Sequence, residues 1–291
     1  MTGNRRDGGV TVCVLLTLCL SAGVTAAQAP AAPPVPTLGC AEIETFLKTA
    51  KIGRPKGVPV GVTLPSKAPL DDGKMQHDVL IQTVDITKAS YQTGRGTELN
   101  FRDAWQFNVA GYELAKMLEL NMVPPYVERT VSGVPASLSW WVNDAMMEKE
   151  RFEKKITPPD VARWTAELSA SRVFHELIAD TDFNMTNLLI TKDWRVWMID
   201  FSRAFRLTKS LREPKNLTRV DRKLLANLRG LTLEGLQQRL GRWVNKPQIE
   251  ALLARRDLMV KFFDDEITAK KEATVLYDLA RTSEPCGLGL L

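Results

Sequence analysis

The stretch Asp180-Thr-Asp-Phe-Asn-Met-Thr-Asn-Leu-Leu-Ile-Thr-Lys-Asp-Trp-Arg-Val-Trp-Met-Ile-Asp-Phe-Ser-Arg203 opens as a loop crowded with short polar side chains and runs into two apolar segments. Leu188–Thr191 reads as a strand, Lys192-Asp193 as a turn, and Trp194–Ile199 as the return strand of a hairpin. Such a hairpin returns Asp200 to the loop that carries Asp180, Asp182, Asn184 and Asn187. Carboxylates and an amide gathered at one end of an apolar hairpin are the hard oxygen donors that a divalent cation and its phosphate ligand require. Taken singly, Asp182 and Asn184 are turn caps and Asp200 is a strand end. Their conjunction marks a site.

Five residues separate Asp182 from Asn187, and thirteen separate Asn187 from Asp200. Protein kinases place the catalytic-loop Asp and Asn five apart and open an Asp-Phe-Gly triplet about one hairpin later. Here the triplet is Asp200-Phe201-Ser202, and Phe183 stands where the divergent branch often has Arg. The chain resembles the kinase-like superfamily, specifically its phosphoinositide-kinase-like, HipA-like and secretory-pathway branch, and a group of uncharacterised exported bacterial proteins. The resemblance implies a two-lobed protein-kinase-like α+β fold, with a β-rich N-lobe over 39–145 and a helical C-lobe over 146–291. It implies Asp182 as the catalytic residue, Asn187 and Asp200 as ligands of Mg²⁺ or Mn²⁺, and ATP as co-substrate.

Composition bounds the reading. A chain of 291 residues suits one large domain or two lobes sharing a cleft, and 44% hydrophobic with 25% charged residues is ordinary for a globular protein. Net charge is +5 with no block of five like charges, so neither a nucleic-acid track nor a polybasic membrane patch is indicated. Two histidines and no Cys-x-x-Cys argue against a zinc site or a Ser-His-Asp triad. His175, inside an amphipathic helix, reads as a packing or surface residue.

Arg5-Arg6, the apolar run Val10–Leu20 and small residues through Ala29 form a signal-peptide pattern over 1–29, cleaved after Ala26 or Ala29. The protein is therefore expected to be exported, periplasmic or secreted, without an integral span in the mature chain; an uncleaved N-terminal anchor is the alternative. Residues 30–38 are a Pro-rich linker. Cys13 and Cys19 would leave with the leader. Cys40 and Cys286 remain near the ends of the mature chain, either paired in an oxidising compartment or as two free thiols.

Between 57 and 86 the texture is β. Val58–Leu64 and Val79–Ile86 read as strands, with a turn at Asp71-Asp72-Gly73. There is no Gly-x-Gly-x-x-Gly, so a phosphate-covering loop falls to Thr63–Gly73, with Lys67 as a possible contact. The resemblance expects a Lys on the third strand. Gln82 occupies that place, and an amide can hydrogen-bond a phosphate but adds no charge. Lys88 is the nearby substitute and would share the face of Gln82 if the strand continued; the alternative is a solvated strand-end lysine. Gly94-Arg95-Gly96 reads as a surface loop.

Asn100 is expected to cap the next helix with Asp103 in its first turn. That helix matches the kinase C-helix. Asn108 would pair with Gln82 as a neutral counterpart of Lys–Glu, with Glu113 as the charged option. Beyond a hairpin about Ser132-Gly133, Trp140-Trp141-Val142 falls at the kinase hinge, where one ring, assigned to Trp141, can line an adenine pocket. Val161, Trp164, Leu168, Phe174, Leu177 and Ile178 recur at helical spacing in a buried buttress that delivers the catalytic loop. Amphipathic helices follow over 221–231, 233–243 and 246–277. The expected function is an atypical kinase acting on an unspecified acceptor. The alternatives are an exported pseudokinase-type binding module and a metal-dependent phosphohydrolase.

Overall fold

The computed structural model describes residues 37–58, 65–93 and 96–280, together with residues 1, 3, 286, 288 and 289. Nearly all of the signal peptide, Cys13 and Cys19, most of the Pro-rich linker, all but Val58 of the strand expected over Val58–Leu64, and the pair Gly94-Arg95 lie outside the described residues. The chain divides after Val35, and only the unit Pro36–Leu291 is described below.

After β1 (Thr37–Leu38), helix α1 (Cys40–Thr49) presents Ile43, Phe46 and Leu47 as one buried stripe. Short strands β2 (Lys51–Ile52) and β3 (Lys56–Gly57) lead to β4 (Ser66–Asp71) and β5 (Gln76–Gln82). The expected phosphate-covering loop is thus strand from Ser66 to Asp71, because these residues pair along their whole length with Gln76–Ile81. In β5 the alternation of His77, Val79 and Ile81 sends one face into a core shared with α1, while Asp78, Leu80 and Gln82 face the other way.

The chain then leaves the main sheet. β6 (Asp85–Thr93) and β7 (Gly96–Ala104) pair only with each other, from Asp85↔Ala104 to Thr93↔Gly96. Helix α2 (Gln106–Met117) therefore begins after Trp105, not at Asn100. Asn100 and Asp103 lie within β7: Asp103 pairs with Ile86 in the ladder, and Asn100, at φ 51°, falls in a gap between the Leu99 and Phe101 pairs. Strands β8 (Tyr126–Val131) and β9 (Val134–Trp140) form the next hairpin, with Ser132 at φ 50° and Gly133 at φ 84°, the left-handed pair that suits a two-residue connection. The main sheet runs β2-β4-β5-β9-β8, with β3 also on β4.

The second half is helical. β10 (Met146–Met147) and α3 (Glu148–Glu153) precede α4 (Val161–Ile178), which Asp160 caps by accepting the Arg163 N–H at 2.9 Å. Trp164, Phe174, Leu177 and Ile178 bury its inner face, each contributing about 1.5–3 kcal/mol of transfer free energy before entropy is subtracted. Ala179 ends the helix in the left-handed region at φ 49°. The hairpin is β11 (Leu188–Ile190) with β12 (Val196–Met198), and β10 adds a third strand on the β11 edge.

Next come β13 (Val220–Asp221), α5 (Arg222–Gly230), α6 (Leu233–Leu240), α7 (Lys246–Ala269), α8 (Glu272–Val275) and β14 (Leu276–Tyr277). Finally β15 (Leu288–Gly289) pairs with β1. Arg255 of α7, fully buried, donates Nε to the Leu177 carbonyl at 2.8 Å and Nη1 to that of Arg206 at 3.0 Å. It binds the last turn of α4 to the segment after the hairpin. Burial draws its pKa down to about 10, so it stays charged at neutral pH. Cys40 and Cys286 are joined by a disulfide.

Candidate active site

The loop after α4 is held from beneath. The buried Asp180 carboxylate meets His175 Nδ1 at 2.9 Å and accepts the Asp182 N–H at 3.0 Å. Phe183 stacks on the His175 ring, with centroids 3.7 Å apart. His175 is thus a buried support of the loop. Asn184 bonds within the loop, donating to the Asp182 carbonyl at 2.7 Å and accepting from Thr186. Asn187 is buried, and its Nδ2 lies 3.5 Å from the Asp182 carbonyl. Its own carbonyl accepts the Ile199 N–H at 3.0 Å, next to Asp200. The hairpin thus brings Asp182, Asn187 and Asp200 to one end. Asp182 itself is exposed, and Arg203 Nη1 donates to its Oδ1 at 2.9 Å.

Asp200 has φ 61°, a region few residues with a side chain occupy, and its N–H donates to the Tyr126 hydroxyl at 3.3 Å. Its Oδ1 accepts Gln82 Nε2 at 3.3 Å. Asn108 Nδ2 donates to Gln82 Oε1 at 2.8 Å, and Asn108 Oδ1 accepts the Phe201 N–H at 2.7 Å. One chain of neutral amides therefore links the β5 strand, the α2 helix and the Asp200-Phe201 segment. Glu113 is elsewhere, paired with Lys116 at 3.2 Å and Arg239 at 2.5 Å. Phe201 is fully buried against Tyr126, Phe174 and His175, and Gly111 of α2 gives it room: a Cβ there would meet the ring at 2.7 Å.

Burial pushes the Asp200 carboxyl above its usual range, the Asp180 charge adds to this, and hydrogen bonds from Ser202 and Gln82 oppose it. Asp103 is displaced the same way, first by burial and then by the charges of Asp200 and Asp182. The donor set fits a hard divalent cation: a carboxylate at Asp200 and an amide oxygen at Asn187, with no ammonium on β5 to neutralise the first. Magnesium sites of this kind take one or two carboxylates and complete the shell with water and substrate phosphate. Among the described residues no three His, Cys, Asp or Glu side chains form a ready cage.

On the N-terminal side, Lys67 lies opposite Leu80, which places it on the face of Asp78 and Gln82. Its Nζ meets Asp78 at 2.8 Å and lies 4.2 Å from the centre of the Trp141 ring. Trp140 packs in the core, stacked on His77 at 3.5 Å. The Trp141 N–H donates to the Asp78 carbonyl at 3.1 Å, and its carbonyl accepts from His77 Nε2 at 2.9 Å. Lys88 does not continue the Gln82 face: it sits on β6, in a separate sheet, over the Tyr91 ring at 4.6 Å.

The β6–β7 hairpin was hidden in the sequence, because its strands are polar on both faces and only Gly94-Arg95-Gly96 marked its turn. It reaches the loop after α4. Glu98 takes Arg203 and Arg206, each at 2.7 Å, and Thr181 donates to it at 3.3 Å. A groove of about 500 Å³ lies between Tyr91, Thr97 and Glu98 on one side and Thr181, Asp182 and Arg203 on the other.

No protein-family profile matches this chain, and no curated protein matches it. Among solved structures it is similar to the crystal structure of the Golgi casein kinase, at 11% identity and a TM-score of 0.57 over 83% of this chain and 79% of that one. A weaker similarity, at 9% identity and a TM-score of 0.44, covers 73% of this chain and 92% of the Helicobacter pylori proinflammatory kinase CtkA. The first likeness and the strand order describe the fold: a two-lobed, protein-kinase-like α+β architecture with a β-rich N-terminal part and a helical C-terminal part.

Proposed function

We propose that the protein is an atypical kinase that transfers a phosphoryl group from ATP to a hydroxyl-bearing acceptor with Mg²⁺ or Mn²⁺. The observation that carries this reading is the convergence of Asp182, Asn187 and Asp200 at one end of the β11–β12 hairpin, with Gln82 of β5 on Asp200. Asp182 orients the acceptor hydroxyl and takes its proton as the oxygen bonds to the γ-phosphorus and the bond to the β–γ bridging oxygen breaks, releasing ADP. Arg203 and the His175–Asp180 pair hold Asp182 in place. Asn187 and Asp200 hold the cation, which neutralises charge on the nucleotide phosphates. Lys67 and Trp141, on the N-terminal side, are placed to meet the nucleotide, and Gln82 and Asn108 keep Asp200 aligned. The lobes meet in this reading near residue 145.

Export, with residues 1–29 as a leader and 30–38 as a linker, is part of the same reading. It is supported by the Cys40–Cys286 disulfide, a bond typical of oxidising compartments, and by the n-region and apolar run of the sequence.

A second reading, a binding module without turnover, is favoured by the neutral Gln82–Asn108 pair and by the commitment of both Trp141 backbone groups within the N-terminal part. A thermal shift with Mn²⁺ and ATP, lost in Asp200→Ala, is expected under either reading. Labelled phosphate transfer, abolished in Asp182→Asn with nucleotide binding kept, separates the two. No shift with either metal and ATP would overturn both.

A further inference from the structure

Asp103 is absent from the kinase pattern that picked out the site, and it stands on the inserted hairpin. It is more than nine-tenths buried, at 6% exposure, and its Oδ1 has no hydrogen-bond partner. The Ser202 hydroxyl lies beside both the Asp103 and the Asp200 carboxyl. The main chain fixes this meeting, since the Ala104 N–H donates to the Ser202 carbonyl at 2.8 Å. One hydroxyl carries one hydrogen, so it can donate to only one of these carboxylates at a time. Arg203, the neighbouring cation, is already bonded to Asp182 and Glu98. Gln82 supplies no charge. Two carboxylates so placed, Asp103 buried and Asp200 half-buried, are costly without a counter-charge, and a divalent cation supplies one.

Resting on the metal-dependent reading above, we propose that Asp103 is a third oxygen ligand of the cation held by Asp200 and Asn187, supplied by the β6–β7 hairpin. Ser202, in place of glycine, spaces the two carboxylates. The site then carries more negative charge than Asp200 and Asn187 provide, and it binds Mn²⁺ before nucleotide arrives.

The test is Mn²⁺ binding by the purified chain without nucleotide, followed by the electron paramagnetic resonance of free Mn²⁺ and by thermal unfolding with and without EDTA. Asp103→Asn keeps an acceptor for Ser202 and removes the charge. It is expected to weaken Mn²⁺ binding at least tenfold and to unfold in EDTA at the same or a higher temperature than the parent. Unchanged Mn²⁺ affinity in Asp103→Asn, with affinity lost in Asp200→Asn, would overturn the role of Asp103 and leave the metal site standing. No Mn²⁺ binding by the parent chain, with or without ATP, would overturn both. If Asp103→Asn does not fold, Asp103→Glu and Asp103→Gln replace it. Both accept from Ser202, and Asp103→Glu is expected to bind Mn²⁺ at least tenfold more tightly than Asp103→Gln; equal binding by the two defeats the proposal.

Discussion

Asn108 accepts the backbone N–H of Phe201 through its amide oxygen at 2.7 Å, across 93 residues of chain. The same side chain donates to Gln82, so removing it strands two buried polar groups at once. Asn108→Ala is expected to lower stability by about 2–4 kcal/mol, since each buried group left unpaired costs about 1–3 kcal/mol. Urea unfolding measures this. A loss within about 0.5 kcal/mol, the scatter of surface substitutions, would mean that water replaces the amide.

Restoring charge to this pair should work only when both members change. Asn108→Glu alone buries a carboxylate facing Gln82 and close to Asp200. Gln82→Lys alone has Asp200 as a partner and is the milder change. The double variant should recover part of the loss, with a favourable coupling of roughly 0.5–3 kcal/mol in a double-mutant cycle. Zero coupling would show that the two sites relax independently.

Gly111 lies inside a helix, where glycine is less favourable than alanine by about 1 kcal/mol. Gly111→Ala should nevertheless destabilise, because the added methyl meets Phe201 Cδ2 at 2.7 Å and that ring is enclosed on its other sides. A net loss of about 1–3 kcal/mol is expected. A rise in melting temperature would show that the ring can retreat.

Much of this arrangement was legible before any coordinates. The spacing of Asp182, Asn187 and Asp200 implied a hairpin, and strands β11 and β12 follow from apolar residues long enough to be read as paired runs. The buttress helix showed through the helical spacing of its apolar residues between Val161 and Ile178. Residues 85–104 did not show. Nearly all of β6 is exposed, so no alternation marks it, and its pairing with β7 is a long-range choice that local pattern does not encode. That error moved Asp103 from strand to helix and concealed its place beside Ser202. The stacking of His175 on Phe183 was unreadable for a similar reason: it is a tertiary contact that neither residue's local pattern encodes.

His77 gives the N-terminal part a pH response. Burial holds its pKa below the usual 6.5, with Lys67 adding to this and the Trp141 carbonyl and Asp78 opposing. The unfolded chain therefore binds the proton more readily than the folded one. Stability conferred by the neutral ring is complete above pH 6.5 and is lost as pH falls below it toward the folded-state value. Melting temperatures measured across that window should fall on acidification, and His77→Gln should flatten the dependence. An unchanged slope in the variant would assign it to other groups.

Reducing the Cys40–Cys286 bond, which spans 246 residues, should lower stability by about 2–5 kcal/mol. Cys286→Ser should match the reduced protein. Unfolding in urea with and without reductant reads both, and equal midpoints would show that the bond contributes nothing to the equilibrium.

The β6–β7 excursion begins and ends at one point: Asp85 and Ala104 are ladder partners, and the Trp105 N–H donates to the Val84 carbonyl at 2.7 Å. Strand β5 and helix α2 are therefore already spliced beneath it, and the 20 residues from Asp85 to Ala104 form a cassette mounted on a closed junction. Such a unit can be shortened, exchanged or grafted without rewiring the sheet. Where it is altered about Glu98, the wall facing Asp182 changes while the pairing of β5 with β4 and β9 is untouched.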